Sequence, residues 1–313
     1  MKLSTILMVT FALCLIAFGA GAGLLTDETV PLQQAIVDMA SVDDATTYTA
    51  SRNAVVARGP AALAALTPIA ENAASWRERA AASACVGWIQ HAQQYEAFLA
   101  VQPMPTARGH LRYRGDLVDR DPMYTPLLVE MAVWTEASAD RRVAAVEMLQ
   151  AIRDPRATEA LGWVLLNDES NEVRLTAADV LARATDPAAT DQLAAALRDA
   201  ADPQVRTAAA GSIGWRKDLA AAPVLLDALA HDEDAGCRAA AAQSIGWLHD
   251  PATTMALSMA LSADAAPEVR RQAALALGKV GGDDAAQALQ QAIESDVDPE
   301  VVRLATYALE KLQ

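Results

Sequence analysis

Apolar residues recur along the second half of this chain at the spacing of helix faces. In residues 172–202 they fall three or four positions apart, which is typical of an amphipathic helix. Asp186-Pro187 interrupts this pattern, because proline ends the first helix, and a second apolar stripe follows at Ala189–Leu197. The pattern predicts a unit of two short helices joined by a tight turn.

The same unit returns every 32 residues, and an arginine marks each return. Alanine follows each arginine three positions later, and leucine or isoleucine follows seven positions later. A hairpin of this length cannot enclose its own apolar stripe, so the units must stack on one another as a solenoid. The marking arginines are Arg142, Arg174, Arg206, Arg238 and Arg270.

Three glycines stand eight positions after their arginines, in the last turn of the first helix: Gly214, Gly246 and Gly278. A glycine inside a helix costs about 1 kcal/mol relative to alanine. We therefore expect a neighbouring helix to pack closely against each of these positions.

Ser170–Leu181 and Ala266–Leu277 resemble HEAT repeats of the phycobilisome-lyase-like type. The resemblance implies a ladder in which each marking arginine bonds an acidic residue of a neighbouring repeat. The acidic residue stands six positions before the arginine, as at Asp168, Asp232 and Asp264. Ala200 and Val302 depart from this pattern, so we expect an incomplete ladder there.

The fold expected from these observations is all-α, a right-handed α-solenoid of stacked helical hairpins with a period of 32 residues. Scarce aromatic residues (4%) and the near absence of strand patterns agree with this class. The expected segments are a signal peptide (1–22), N-terminal capping helices (23–60), a weak HEAT-like repeat (61–90), a diverged repeat or insertion (91–123), and regular repeats with a C-terminal cap (124–313).

The N-terminus predicts export. Lys2 precedes the uncharged apolar run Leu3–Phe18, and small residues follow at Gly19–Gly23, which is the pattern of a secretory signal peptide cleaved after Ala22. The alternative is an uncleaved inner-membrane anchor formed by residues 3–25, since about 20 apolar residues can span a bilayer. Either interpretation places the protein in the periplasm or cell envelope of a bacterium.

The net charge of −15 argues against nucleic acid and anionic lipid as partners, because such a surface repels both. One stretch is locally basic, with Arg108, Arg112, Arg114 and Arg120. These arginines either pair with the protein's own acidic surface or grip an acidic partner.

The sequence offers no catalytic group, no metal site and no cofactor site. Cys85 and Cys237 lie several hairpins apart, too far for a disulfide, and both fit the pattern of small core residues. Relatives of this repeat class with a di-iron hydroxylase activity carry His-Glu dipeptides, and this chain has none. A phosphate-binding loop and a nucleophile motif are also missing.

The candidate binding surface lies on the first helices. On a helical wheel, the positions three, four and seven after each arginine face the core, and those one, two, five and nine after it face away. The nine-later position holds Arg183, Trp215, Trp247 and Lys279, and the five-later position holds Gln243 and Tyr307. Two neighbouring indoles on small residues, flanked by cations, are typical of a protein-binding hot spot. The alternative is that each indole folds against the adjacent repeat.

These features favour an exported HEAT-repeat scaffold that binds another protein through the concave face and has no catalytic activity of its own. The alternative is a lyase-like enzyme or enzyme accessory that acts on a cofactor-bearing or modified protein. Metal content and an absorption spectrum would distinguish the two.

Overall fold

The computed structural model describes residues 31–100, 104–105, 111–112, 121–134 and 137–312. The chain divides into two compact units, Met1–Ala145 (unit 1) and Val146–Gln313 (unit 2). The expected signal peptide, residues 1–22, and the alternative anchor, residues 3–25, lie outside the described residues. No helix in the described ranges is long and apolar enough to cross a membrane.

Unit 1 is organised around one long helix, α4 (Trp76–Ala100). It contacts the helices α1 (Leu32–Ser41), α2 (Ala45–Val56), α3 (Leu63–Asn72) and α5 (Thr125–Val133). A kink at His91, where φ is −129° and ψ is 22°, divides α4. Helix α6 (Ala139–Ile152) also begins within the described part of this unit.

Unit 2 is a stack of helical hairpins in which first helices contact first helices and second helices contact second helices. The first helices are α8 (Asn171–Arg183), α10 (Pro203–Arg216), α12 (Ala235–Leu248), α14 (Pro267–Val280) and α16 (Pro299–Glu310). The second helices are α7 (Thr158–Asn167), α9 (Ala188–Asp199), α11 (Ala222–His231), α13 (Thr254–Ala263) and α15 (Asp283–Ser295). The predicted α-solenoid is confirmed.

Aspartate side chains cap the first turn of some of the first helices, as in α10 and α16. The side chains of Asp202 and Asp298 accept hydrogen bonds from the backbone N–H groups of Gln204 and Glu300, each at 2.9 Å. These bonds satisfy N–H groups that have no partner within the helix. Two first helices end at residues in the left-handed conformation, Lys217 (φ 55°) and His249 (φ 53°).

The core of unit 2 forms where the helical wheel placed it. The positions three, four and seven after the marking arginines are all buried, so that part of the prediction is confirmed. They are Ala177, Ala178, Leu181, Ala209, Ala210, Ile213, Ala241, Ala242, Ile245, Ala273, Ala274 and Leu277.

The three glycines stand where neighbouring first helices come into close contact. A Cβ atom at Gly246 would lie 2.8 Å from the Cα atom of Ala276, and one at Gly278 would lie 2.7 Å from the Cβ atom of Ala308. At Gly214 it would lie 2.8 Å from the Cα atom of Ser244. The predicted close packing is therefore confirmed.

Parts of residues 91–123, which the sequence predicts to be a diverged repeat or an insertion, form regular secondary structure. Helix α4 continues to Ala100, and a two-residue strand β1 (Met104–Pro105) pairs antiparallel with β2 (Leu111–Arg112). Strands of two residues are too short to show an alternating pattern, so the sequence could not reveal them.

Candidate protein-binding face

The exposed side of the first helices in unit 2, called here the first-helix face, is uncharged at its centre. Thr207, Ala208 and Gly211 of α10 and Ala239 and Ala240 of α12 are all half-buried there. Their short side chains leave this part of the surface open to an approaching chain.

The two tryptophans on this face differ in exposure. Trp215 at the end of α10 is 64% exposed, whereas Trp247 at the same position of α12 is half-buried. The ammonium group of Lys279 lies 5.1 Å from the centre of the Trp247 ring, a cation–π contact. The face therefore presents one open indole and one indole covered by a lysine.

The other candidate residues of the first-helix face differ in their exposure and in their charge partners. Arg183 pairs with Asp179 one turn earlier on α8, so its charge is compensated. Gln243 is half-buried. Tyr307 on α16 is 50% exposed, and the ammonium group of Lys311 lies 5.5 Å from the centre of its ring. Of the second candidate set, Arg108, Arg114 and Arg120 lie outside the described residues, and Arg112 is placed only by its backbone in β2.

Arginine–aspartate pairs join consecutive repeats of unit 2. Arg206 donates to both carboxylate oxygens of Asp232, at 2.8 and 2.9 Å, and a third bond runs from its Nη1 to the carbonyl of Ala200 at 3.1 Å. Each such arginine thus links its own turn to the aspartate 26 residues later. The other two-oxygen pairs are Arg238–Asp264 and Arg270–Asp296.

The electrostatics of these pairs follow from their partial burial. Burial alone would raise the pKa of Asp232, but the bond from Arg206 and the backbone N–H of Asp234 outweigh it and lower the pKa to about 2. The hydrogen bond from Arg270 similarly lowers the pKa of Asp296. These aspartates are therefore ionised at neutral pH and act as structural links.

At Ala200, where the sequence predicts an incomplete ladder, the arginine–aspartate pair is altered rather than absent. Arg174 has no aspartate 26 residues later, and it donates instead to Asp202 at 2.9 Å. Its Nε atom is buried and has no hydrogen-bond partner among the described residues. Arg303, shifted by one position, pairs with Glu300 of its own helix.

At the start of the regular array, Arg142 donates to the carbonyl of Ala137 at 2.6 Å within unit 1. Asp168, in unit 2, is buried, and its carboxylate accepts from the backbone N–H of Ser170 at 2.8 Å. The backbone carbonyl of Asp168 accepts a hydrogen bond from Arg174 at 2.8 Å. The carbonyl of Ala200 accepts the equivalent bond from Arg206 one repeat later.

A buried polar cluster in unit 1 was missed by the sequence reasoning. The carboxylate of Glu130, 1% exposed, forms an ion pair with Arg52 and accepts from the indole N–H of Trp88 at 2.9 Å. Arg52 also lies 4.7 Å from the centre of the Trp88 ring. Burial raises the pKa of Glu130 despite the opposing charge of Arg52. The one available signal was a single carboxylate in the apolar run of residues 126–133.

The two cysteines that the structure describes are both inaccessible. Cys85 and Cys237 are free and buried. Burial, together with the nearby Asp232, raises the pKa of the Cys237 thiol to about 12. Over the part of the chain that the structure describes, no three histidine, cysteine or acidic side chains are grouped to hold a metal ion.

The family of HEAT repeats matches this chain over residues 158–246 and again over residues 222–310. These residues are HEAT repeats. The two matches overlap and cover nearly all of unit 2, so the arginine–aspartate pairs and the first-helix face both belong to HEAT repeats. The resemblance stated from the sequence is thereby confirmed.

Many solved structures align with this HEAT-repeat chain, and three of them illustrate how low the sequence identity is. Human deoxyhypusine hydroxylase is 22% identical (TM-score 0.36, 90% of this chain and 96% of that one covered). The Escherichia coli protein YibA is 16% identical (TM-score 0.43, 93% and 94% covered). The complex of CpcE and CpcF of phycocyanin lyase from Nostoc sp. is 19% identical (TM-score 0.30, 60% and 94% covered). These similarities do not bear on activity, and no protein of curated function matches the sequence significantly.

Proposed function

We propose that this protein is an exported HEAT-repeat scaffold that binds a segment of another protein on the first-helix face. The observation that carries the proposal is the open indole of Trp215, which is 64% exposed in a patch of small, uncharged residues. Exposed indoles are enriched among the residues that dominate binding energy in protein interfaces.

The setting of Trp215 supports a peptide as the ligand. A Cβ atom added at Gly211, one helical turn before Trp215, would meet no heavy atom within 4 Å among the described residues. A partner backbone can therefore approach the helix there and cover the indole. Burial of apolar surface contributes about 25 cal/mol per Å², so covering one indole contributes on the order of 2 kcal/mol.

Site-specific crosslinking tests this proposal. A photoreactive residue at position 208, two helical turns before Trp215 on the same face of α10, is expected to crosslink one protein in cells. Trp215→Ala in the same chain is expected to abolish that product. The matched control is Met255→Ala with Met259→Ala, which removes two side chains that are 77% and 64% exposed on the second helix α13. A crosslinked product unaffected by Trp215→Ala would contradict the proposal.

Export and the lack of catalysis are separate parts of the proposal, and each has its own measurement. Export rests on the pattern of Lys2 and Leu3–Phe18, and N-terminal sequencing of the mature protein is expected to begin at Gly23. The lack of catalysis rests on the absence of a catalytic motif in the sequence. Stoichiometric metal, or a pigment absorption band in the purified protein, would favour the lyase-like alternative.

A further inference from the structure

Each lysine of unit 2 lies close to an aromatic residue of the first-helix face, either in space or in sequence. Lys279 covers Trp247, Lys311 lies against the ring of Tyr307, and Lys217 stands two residues after Trp215. These three are all the lysines of the chain apart from Lys2. All three are exposed.

The lysines differ from the arginines of this face in their charge balance. The charges of Arg183, Arg271 and Arg303 are compensated by carboxylates of Asp179, Asp298 and Glu300. Within the described residues, Lys217, Lys279 and Lys311 have no carboxylate within the 4.0 Å of an ion pair.

The surroundings of Lys279 indicate an incomplete site. Partial burial lowers the pKa of Lys279, which is opposite to the effect of a neighbouring carboxylate. The ammonium group lies over an indole and has no anion beside it in the described part of the chain. An anionic group on a bound ligand would therefore stabilise it. A carboxylate that sits beside Lys279 and next to Trp247 would restore the missing charge.

We propose that the segment bound on the first-helix face is acidic, with carboxylates that pair with Lys279 and Lys311 and an apolar side chain that covers Trp215. This inference rests on the proposed function, because it specifies the occupant of the same face. The occupant is a segment of another protein, and charge complementarity to the unpaired lysines is what selects it.

The repeat spacing sets the pattern of the acidic segment. Packed helices lie about 8–10 Å apart, so Lys279 and Lys311, one repeat apart, are separated by roughly that distance. An extended chain advances about 3.3 Å per residue, so the carboxylates that meet them stand about three residues apart. Trp215 lies two repeats before Lys279, which places the apolar side chain about six residues from the first carboxylate.

The net charge of −15 does not prevent such binding at physiological salt. The Debye length is about 8 Å at 0.15 M ionic strength, so repulsion from distant carboxylates is largely screened. Contacts at the lysines act over shorter distances than this. The acidic side chains that cap turns elsewhere in unit 2 therefore contribute less to the binding free energy than the charged groups beside the ligand do.

A set of three labelled peptides tests the inference by fluorescence anisotropy with the full mature chain. The first is a twelve-residue peptide with one phenylalanine, then aspartates six and nine residues after it. The second has asparagine in place of each aspartate, and the third has lysine. The aspartate peptide is expected to bind at least tenfold more tightly than the asparagine peptide, and the lysine peptide least.

Variants assign the effect to the face. Lys279→Gln with Lys311→Gln is expected to weaken binding of the aspartate peptide at least fivefold and to leave the asparagine peptide unchanged. Arg198→Gln, which removes an exposed cation on the second helix α9, is the matched control and is expected to change neither.

Equal binding of the aspartate and asparagine peptides, no measurable binding of the aspartate peptide, or indifference to the lysine substitutions would overturn the inference. Such a result would leave the proposed function standing if Trp215→Ala still abolished the crosslinked product in cells. If the peptide measurements and the crosslinking experiment both failed, the inference and the proposed function would both be overturned.

Discussion

Arg206 and Asp232 are joined by two parallel hydrogen bonds, 2.8 and 2.9 Å long, across the boundary between consecutive repeats. Arg206 is only 7% exposed, so the free-energy cost of burying its charge is offset by the carboxylate of Asp232. The same aspartate offers its carbonyl to Arg238 at 2.9 Å. One residue therefore fixes the turn between two repeats from both sides.

Asp232→Ala is expected to lower the free energy of unfolding by about 3 kcal/mol, because it leaves a largely buried guanidinium without its counter-charge. Urea denaturation followed by circular dichroism measures the loss. Glu300→Ala is the control, since it removes the partner of Arg303 from a pair whose side chains are 43% and 63% exposed. That change is expected to cost about 0.5 kcal/mol, and equal losses would contradict the role of burial.

The Asp232 pair also makes the stability pH-dependent. The folded-state pKa of Asp232 is about 2, below the ordinary value of 3.8, so its stabilisation is fully present above about pH 4 and is lost as the pH falls towards 2. The full shift is worth about 2 kcal/mol. In Asp232→Asn, denaturation curves between pH 4 and pH 2 should show a shallower decline. An unchanged slope would rule out this coupling.

Ala200→Asp is expected to stabilise the protein by about 1 kcal/mol. The new carboxylate would stand 26 residues after Arg174, the separation seen in the two-oxygen pairs, and would satisfy the buried Nε atom. Ala201→Asp adds the same charge at the exposed neighbouring position and serves as the control. If both variants shifted the urea midpoint equally, a general charge effect would explain the result.

Gly246→Ala is expected to destabilise the protein by at least about 2 kcal/mol, because its Cβ atom would lie 2.8 Å from the backbone of Ala276 and the two first helices would have to separate. Gly211→Ala, on the preceding first helix, has free space and is expected to stabilise by about 0.5–1 kcal/mol. Thermal unfolding of the two variants compares them directly. Opposite signs are the diagnostic result.

Arg52→Met is expected to cost roughly 3 kcal/mol at pH 7, because it leaves the buried Glu130 carboxylate without its counter-charge. The loss should be smaller at pH 5. A carboxyl group whose folded pKa is raised takes up a proton in the native state before the unfolded chain does, so stability rises as the pH falls through the folded pKa towards the ordinary value.

The double variant Arg52→Met with Glu130→Leu separates charge from packing. It removes both ions, and it is expected to recover most of the stability that the single variant loses. A double variant as unstable as Arg52→Met would show that packing around Trp88, rather than the ion pair, supports this part of unit 1.

The sequence determined the helices and their stacking, because both follow from local periodicity. The positions three, four and seven after each arginine repeat often enough that their burial could be read directly, as at Ala209, Ala210 and Ile213. The close approach at Gly246 could be inferred as well, since a glycine in a helix has a cost that only packing offsets. Repetition turns a weak local pattern into a strong one.

Only the tertiary structure decided which groups of different helices meet. Trp215 and Trp247 occupy equivalent positions, yet Trp215 is open and Trp247 lies under Lys279, a residue that the next repeat supplies. Arg174 donates to Asp202, because the repeat has Ala200 at the position where other repeats have an aspartate. The contact of Arg52 with Glu130, 78 residues apart, lies outside the repeated pattern. Such contacts depend on how helices are placed in space, and a one-dimensional period does not record that placement.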